Sequence, residues 1–191
     1  MLLTTLYKKR LRKLNYLGTV ICFLLSSLLH FSYKLSSGAV WSILFAAANE
    51  SIWEHIKILT LPYFIWSFIE ISLFRIPIKK FIVAKTAGIY SIMFFTIVFF
   101  EAYTNLIGKS IVLVDILSAF AWIAVAFFIS YKILISSDKV CQWSTIAAFM
   151  LILYIVMFMT FTINPPKIFL FLDPVTNTYG IPRISNVYLP F

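Results

Sequence analysis

The stretch Val140–Ile163, VCQWSTIAAFMLILYIVMFMTFTI, contains no charged residue. It is long enough to cross a bilayer as a single helix, which takes about 20 mostly apolar residues. Pro165 and Pro166 follow it and end the predicted helix, because proline has no backbone N–H to donate and its ring clashes with the preceding turn. This stretch is therefore typical of a transmembrane helix.

Four further apolar stretches of similar length lie upstream, at about 14–33, 51–74, 81–103 and 111–135. Of the 191 residues, 62% are hydrophobic and only 12% are charged, and the mean hydropathy is +0.97. A soluble domain carries about 25% charged residues. We therefore predict an all-α, polytopic membrane protein: a single integral membrane domain over residues 1–191, built as a bundle of about five transmembrane helices in a lipid bilayer.

Two apolar segments lie outside these spans and are not expected to cross the membrane. Gly38–Ala48 is apolar but too short to cross the membrane, so we expect a short interfacial or re-entrant helix before the second span. Segment 164–191 is apolar but interrupted by proline and by residues that favour turns, which predicts a loop that folds back onto the bundle.

The basic residues predict the orientation. If the five spans alternate, eleven of the sixteen lysines and arginines fall on the side of the N-terminus: Lys8, Lys9, Arg10, Arg12, Lys13, Arg75, Lys79, Lys80, Lys85, Lys132 and Lys139. Loops rich in lysine and arginine remain in the cytoplasm. We therefore expect a bacterial cytoplasmic membrane protein with a cytoplasmic N-terminus and an outside C-terminus. Because the net charge of +9 is explained by topology, no nucleic-acid partner is predicted.

The same alternation places both histidines and five of the seven acidic residues on the outer side: His30, Glu50, Glu54, His55, Glu101, Asp115 and Asp173. An ionised side chain at the bilayer centre costs about 2.5–3.5 kcal/mol on insertion scales. Such groups must therefore be interfacial, paired or directed at other helices. Because all of these residues are expected on the outer side of the membrane, we predict an outward-facing polar site.

The densest part of this site is Asn49–Lys57, NESIWEHIK. On a helix Glu50, Glu54 and Lys57 would lie within about 60° of one another, so we expect Lys57 to compensate both acids. Asn49 or Ser51 is expected to cap the helix, since Glu54 follows Ser51 at the capping-box spacing. The simpler alternatives are an interfacial ion pair between Glu54 and Lys57, and hydrogen-bonded interfacial histidines.

For the functional roles we expect Glu54 and His55 to be catalytic. The residues expected to bind a ligand are His30, Asn49, Glu50, Lys57, Glu101, Asp115 and Asp173. A divalent metal is one alternative, because imidazoles and carboxylates suit zinc or a harder ion and a carboxylate can then act as a general base. Asp173 is equally explained as a turn residue. None of the motifs GxSxG, HExxH, GxGxxG or the P-loop occurs, so the sequence leaves open whether the protein is an enzyme.

Three functions fit this pattern. The first is a polar site that binds a polar ligand or lipid headgroup, with metal-assisted hydrolysis as an extension. The second is a transporter or channel component, although the inner half offers few polar residues besides Glu70 and Lys85. The third is a non-catalytic assembly partner, as a homo-oligomer or with another membrane protein.

The motif NESIWEHIK resembles the signature of an uncharacterised bacterial family of small multi-pass membrane proteins, which reads close to PVNESVWEHLKL. The later residues Pro165-Pro166, Asp173-Pro174 and Tyr179-Gly180 are similar to the PP…DP…YG ending of that family. Ala47-Ala48 stand where the family usually has Pro-Val. The resemblance implies the same multi-pass fold but no established activity.

Overall fold

The computed structural model describes residues 2–181. The end of the predicted loop segment 164–191, with Arg183, lies outside this range. Within it the helices are α1 (Leu2–Leu35), α2 (Val40–Phe45), α3 (Ile52–Leu73), α4 (Ile78–Ile107), α5 (Val112–Leu134) and α6 (Ser144–Ile163). Short 3₁₀ segments occupy Asp138–Trp143 and Phe169–Phe171, and two short strands, β1 (Leu172–Asp173) and β2 (Thr178–Tyr179), form an antiparallel hairpin.

Five of these helices are long and apolar enough to cross a membrane, which confirms the predicted all-α bundle. The short helix expected before the second span is α2. The helix ends differ from the predicted spans, most of all for α1, which begins at Leu2 rather than near residue 14. Lysine, arginine and leucine favour helix, so the helix continues through the basic segment although that segment is too polar for hydrocarbon.

Helix α3 is the most buried of the five spans and packs against α1 and α4. Helix α4 also packs against α5 and α6. The core lies around Tyr63 and joins apolar side chains from α1, α3, α4, α5 and α6. Gly88 allows α4 to approach the Tyr63 ring, and Gly18 allows α1 to approach the ring of Trp66.

The spans alternate in direction and give the bundle two distinct ends. At the basic end, the Tyr7 ring of α1 contacts the Phe74 ring beyond α3 at 5.4 Å. Lys80 of α4 pairs there with Asp138 between α5 and α6 at 3.0 Å. The opposite end, called the polar end below, holds the α1–α3 connection, the α4–α5 turn and the tail after α6. Which end faces the cytoplasm stays a prediction from the basic residues.

The described part of the tail packs against the start of α3. The Phe171 ring lies 5.4 Å from that of Trp53 in α3 and 5.2 Å from that of Phe161 in α6. Asn49 Nδ2 donates a hydrogen bond to the Gly180 carbonyl at 2.8 Å. The apolar tail therefore folds back onto the bundle, and residues 49 and 180 lie at the same end.

Candidate functional site

The start of α3 decides how the polar residues are arranged. Ser51 has extended backbone angles and its Oγ accepts from the Glu54 N–H at 3.4 Å, so Ser51 is the N-cap, as its spacing from Glu54 predicted. The helix begins at Ile52, which leaves Glu50 in the connection before it. The helical grouping of Glu50 with Glu54 and Lys57 was therefore wrong, and the two acids have different partners.

Glu50 turns toward two imidazoles. Its Oε2 lies 3.6 Å from His55 Nε2 and 3.9 Å from His30 Nε2. One ligand atom from each of the three residues lies within 4.8 Å of the other two. The three side chains remain between 29% and 35% exposed, so this cluster sits at the edge of the bundle and is open to solvent. We call it the His–Glu cluster.

The backbone orients one of the imidazoles. His55 Nδ1 lies 2.9 Å from the Ser51 carbonyl oxygen, which can accept its N–H and leaves Nε2 directed at Glu50. A metal-binding histidine is commonly oriented in this way, because the second nitrogen is fixed by a carbonyl or carboxylate. His30 comes from the last turns of α1, and its ring centroid lies 5.3 Å from that of His55.

One cation lies beside the His–Glu cluster. Lys34 Nζ is 3.8 Å from Glu50 Oε1, and its side chain is 80% exposed. His30 and Lys34 are four residues apart on α1, so they project from the same face of the helix. In the Glu50 carboxylate, Oε2 therefore faces the two imidazoles and Oε1 faces the ammonium of Lys34.

The expected catalytic residue Glu54 is buried in a different environment. Lys57 Nζ lies 2.8 Å from Glu54 Oε2, and the Ala48 N–H also donates to Oε2 at 2.7 Å. Lys57 in turn donates to the Ile43 carbonyl at 3.0 Å. Lys57 therefore compensates Glu54 and not Glu50. A catalytic role for Glu54 stays a prediction, whereas its contacts are those of a structural ion pair.

The remaining expected ligand residues are placed around the polar end and make other contacts. Asn49 joins the tail, and its Oδ1 accepts from the Ser51 N–H at 2.9 Å. Asp173 is buried and accepts from Val175 N and Thr176 Oγ1, which is the turn role. Glu101 bonds to Asn105, four residues along α4. Asp115 is hydrogen-bonded to the hydroxyl of Tyr103.

Sequence reasoning missed two pairings. Lys34 was not assigned to Glu50, although the structure pairs them. Glu70 and Lys85 were noted singly, yet the structure joins them in a buried ion pair between α3 and α4. The available signal was two opposite charges near the same end of consecutive predicted helices.

Two imidazoles and one carboxylate form the ligand set found in zinc enzymes that keep an open coordination position, and also suit other divalent transition metals. Comparison with curated proteins and with solved structures gives no match. A family model described as "Family of unknown function (DUF6512)" matches residues 4–181. Since this match covers nearly all of the chain, the protein belongs to the family of unknown function DUF6512.

Proposed function

We propose that the protein binds a divalent transition-metal ion at the His–Glu cluster and uses it to hold a polar ligand, in particular the headgroup of a membrane lipid. The observation that carries this proposal is the convergence of His30, Glu50 and His55 from α1, the connection and α3 on one point. We place the protein in a bacterial cytoplasmic membrane, with the cluster on the outer side.

The distances are close to those of a metal site. Ligand atoms at about 2.1 Å from a tetrahedral ion lie roughly 3.4 Å apart. The distances from Glu50 Oε2 to the two imidazole nitrogens, 3.6 and 3.9 Å, exceed this by a few tenths of an ångström. The ligand atoms of the two imidazoles lie within 4.8 Å of each other, so rotation of the three partly exposed side chains has to bring all three ligand atoms closer together around the ion.

The surroundings favour an amphiphilic ligand with an anionic headgroup. Phe31, whose ring contacts that of His30 at 5.0 Å, is exposed. Apolar side chains beside a polar group suit the boundary between acyl chains and headgroups. The ammonium of Lys34 lies at the same site and attracts a negative group such as a phosphate.

Three protein ligands leave a coordination position for an oxygen of the headgroup or for water. A bound zinc-type ion lowers the pKa of a coordinated water and polarises a bound phosphoryl or carbonyl oxygen, which is the chemistry that hydrolysis requires. The protein would place the reacting groups: His30, Glu50 and His55 would hold the ion, and Lys34 would orient the anionic group.

The first test is an elemental analysis of the purified protein after exposure to zinc and removal of unbound ion. We expect about one equivalent of metal per chain and its loss in His55→Ala and Glu50→Gln. Glu101→Gln is the matched control, because it removes a carboxylate at the same end of the bundle outside the cluster. Equal metal content in wild type and His55→Ala would exclude this site.

The second test concerns the ligand. Native mass spectrometry compares retention of an anionic and a zwitterionic phospholipid by metal-loaded wild type and by Lys34→Met. We expect preferential retention of the anionic lipid, reduced in the variant. Hydrolysis is tested with the same lipids, and a reaction by wild type that persists in His55→Ala would remove the proposed catalytic extension.

A further inference from the structure

An ion pair lies inside the bundle near the basic end, far from the His–Glu cluster. Glu70 of α3 and Lys85 of α4 are in direct contact, and their side chains are 0% and 3% exposed. Ionisable groups within a membrane bundle are costly and commonly take part in ion or proton binding. The question is whether this pair only joins two helices or also has a chemical role.

The second buried pair of the same helix provides the comparison. Glu54 has hydrogen bonds from Lys57 and from the Ala48 N–H, and Lys57 has an additional acceptor in Ile43. Glu70 and Lys85 have no hydrogen-bond partner among residues 2–181 beyond each other. The polar atoms of Glu54 and Lys57 therefore have the hydrogen bonds expected of a structural pair. The Glu70 carboxylate can still accept, and the Lys85 ammonium can still donate, further hydrogen bonds.

The environment of Lys85 is aromatic. Its Nζ lies 5.1 Å from the ring centroid of Tyr63 and 5.6 Å from those of Phe81 and Phe127. Ring faces attract an ammonium but accept no proton from it. They therefore hold the cation in place and leave Glu70 as its one close acceptor in the described chain.

Other unpartnered groups lie next to the pair. Trp66 Nε1, one turn before Glu70 on α3, is buried without an acceptor in the described chain. Asn15 Oδ1 of α1 is buried without a donor there, although its Nδ2 reaches the Phe127 carbonyl. Buried polar atoms without partners are rare in proteins and indicate a chemical role or a bound polar species. Trp66 precedes Glu70 by one turn, and Asn15 reaches Phe127, whose ring faces Lys85, so both groups lie on helices that surround the pair.

The pair is also close to the aqueous phase at the basic end. Glu70 is three residues before the end of α3, which is about 4.5 Å along the helix axis. An apolar layer that includes Leu11, Ile76, Phe81 and Ala84 lies at this end. The shorter path for water to the carboxylate therefore crosses this layer, since the polar end lies at the other end of α3.

We propose that Glu70 and Lys85 form a proton-exchange site that opens to the basic end of the bundle. The carboxylate of Glu70 takes a proton from a hydronium ion and releases water, while Lys85 remains an ammonium held by the three rings. The titratable groups that act on Glu70 are Lys85 of α4, Tyr7 and Cys22 of α1, and Tyr63 on α3 itself. Phe127 and Ser130 of α5, which also pack there, carry no charge.

The test uses dicyclohexylcarbodiimide, an apolar reagent that reacts with protonated carboxyl groups. The acid adds across one C=N bond: its oxygen bonds to the central carbon and its proton goes to nitrogen, and rearrangement gives a stable N-acylurea. Wild-type protein in lipid vesicles is treated at pH values from about 8 to about 5, and the modified peptide is identified by mass spectrometry. We expect labelling at Glu70 that increases as the pH falls, because the acid is the reactive form.

Glu54 is the internal control, since it is also buried in the same helix but has hydrogen-bond donors at both carboxylate oxygens, and it should remain unlabelled. In Glu70→Gln the adduct should disappear from the peptide that contains residue 70. Because the decisive measurement is made on wild-type protein, it does not depend on the folding of a variant. No labelling of Glu70 at any pH, labelling independent of pH, or equal labelling of Glu54 and Glu70 would each overturn the proposal.

Discussion

Lys57 Nζ lies 2.8 Å from Glu54 Oε2 and 3.0 Å from the Ile43 carbonyl, so one buried ammonium joins α3 to the short helix α2. The same carboxylate accepts from the Ala48 N–H within the α2–α3 connection. This arrangement holds the connection in place, and Glu50, which the connection carries, is thereby positioned beside His30 and His55.

Removal of one member of this pair should be more harmful than removal of both. Lys57→Met leaves a buried carboxylate without its cation, which typically costs about 3–5 kcal/mol. The double variant Glu54→Gln with Lys57→Met removes both charges and keeps an acceptor for Ala48, so we expect a much smaller loss. Thermal unfolding in detergent measures both variants, and equal destabilisation would contradict the interpretation as a compensated pair.

Gly88→Ala should destabilise the centre of the bundle. A Cβ at this position would lie 2.5 Å from Tyr63 Cζ, well inside the contact distance. Overpacking of a core typically costs about 1–3 kcal/mol. The same unfolding measurement checks this, and the double variant with Tyr63→Leu should recover part of the loss. If the two substitutions are additive, steric contact between residues 63 and 88 is not the cause.

Substitution of Asn49 should release the tail. Asn49→Ala loses the bonds to Gly180 and to Ser51, whereas Asn49→Asp keeps an acceptor for the Ser51 N–H but has no donor for the Gly180 carbonyl. We expect faster hydrogen exchange in peptides around residues 172–181 for both variants, and a loss of about 1 kcal/mol in stability for each bond. Unchanged exchange in Asn49→Asp would show that Phe171 packing alone holds the tail.

Lys34→Met should increase metal affinity at the His–Glu cluster. The ammonium lies near Glu50 and repels a cation, but the side chain is exposed and the effect is screened. We expect a gain of about 1.5-fold to 5-fold, as for exposed charge pairs. Titration calorimetry with zinc at low and moderate salt measures it. Lys109→Met, at another exposed lysine, is the control, and an equal gain there would indicate a nonspecific effect of net charge.

The fold was predictable because length and apolar composition specify transmembrane helices almost independently of packing. Ser51 was predictable as a cap because capping depends on residue type and on the three-residue spacing to Glu54, which are both local in sequence. The separation of Glu50 from Glu54 was less accessible, because it depends on the single residue at which α3 begins. A shift of two positions in that boundary, from Ile52 to Glu50, decides whether Glu50 shares a helix face with Lys57 or points toward α1.

Whether Glu70 meets Lys85 depends on how α3 and α4 are rotated about their own axes. A helix that is apolar on all sides gives little sequence signal for this rotation. Lys85 had been counted among the basic residues that set the orientation, and what the sequence did not show is that its side chain is buried against α3. Asp115 and Glu101 share the polar end with the His–Glu cluster, yet each has a partner of its own. Residues at a common membrane depth therefore converge only when their helices are neighbours with the right rotation.

The two ion pairs Glu54–Lys57 and Glu70–Lys85 are thus distributed over α3 and the first part of α4, and this has a consequence for the insertion of α3 into the bilayer. Helix α3 is the least apolar of the five spans, and the cation that neutralises Glu70 belongs to the next helix in the chain. A nascent α3 emerging alone would carry an uncompensated carboxylate into lipid. Glu70 meets its cation only when α4 packs beside α3, so the stability of α3 in the bilayer depends on the helix that follows it.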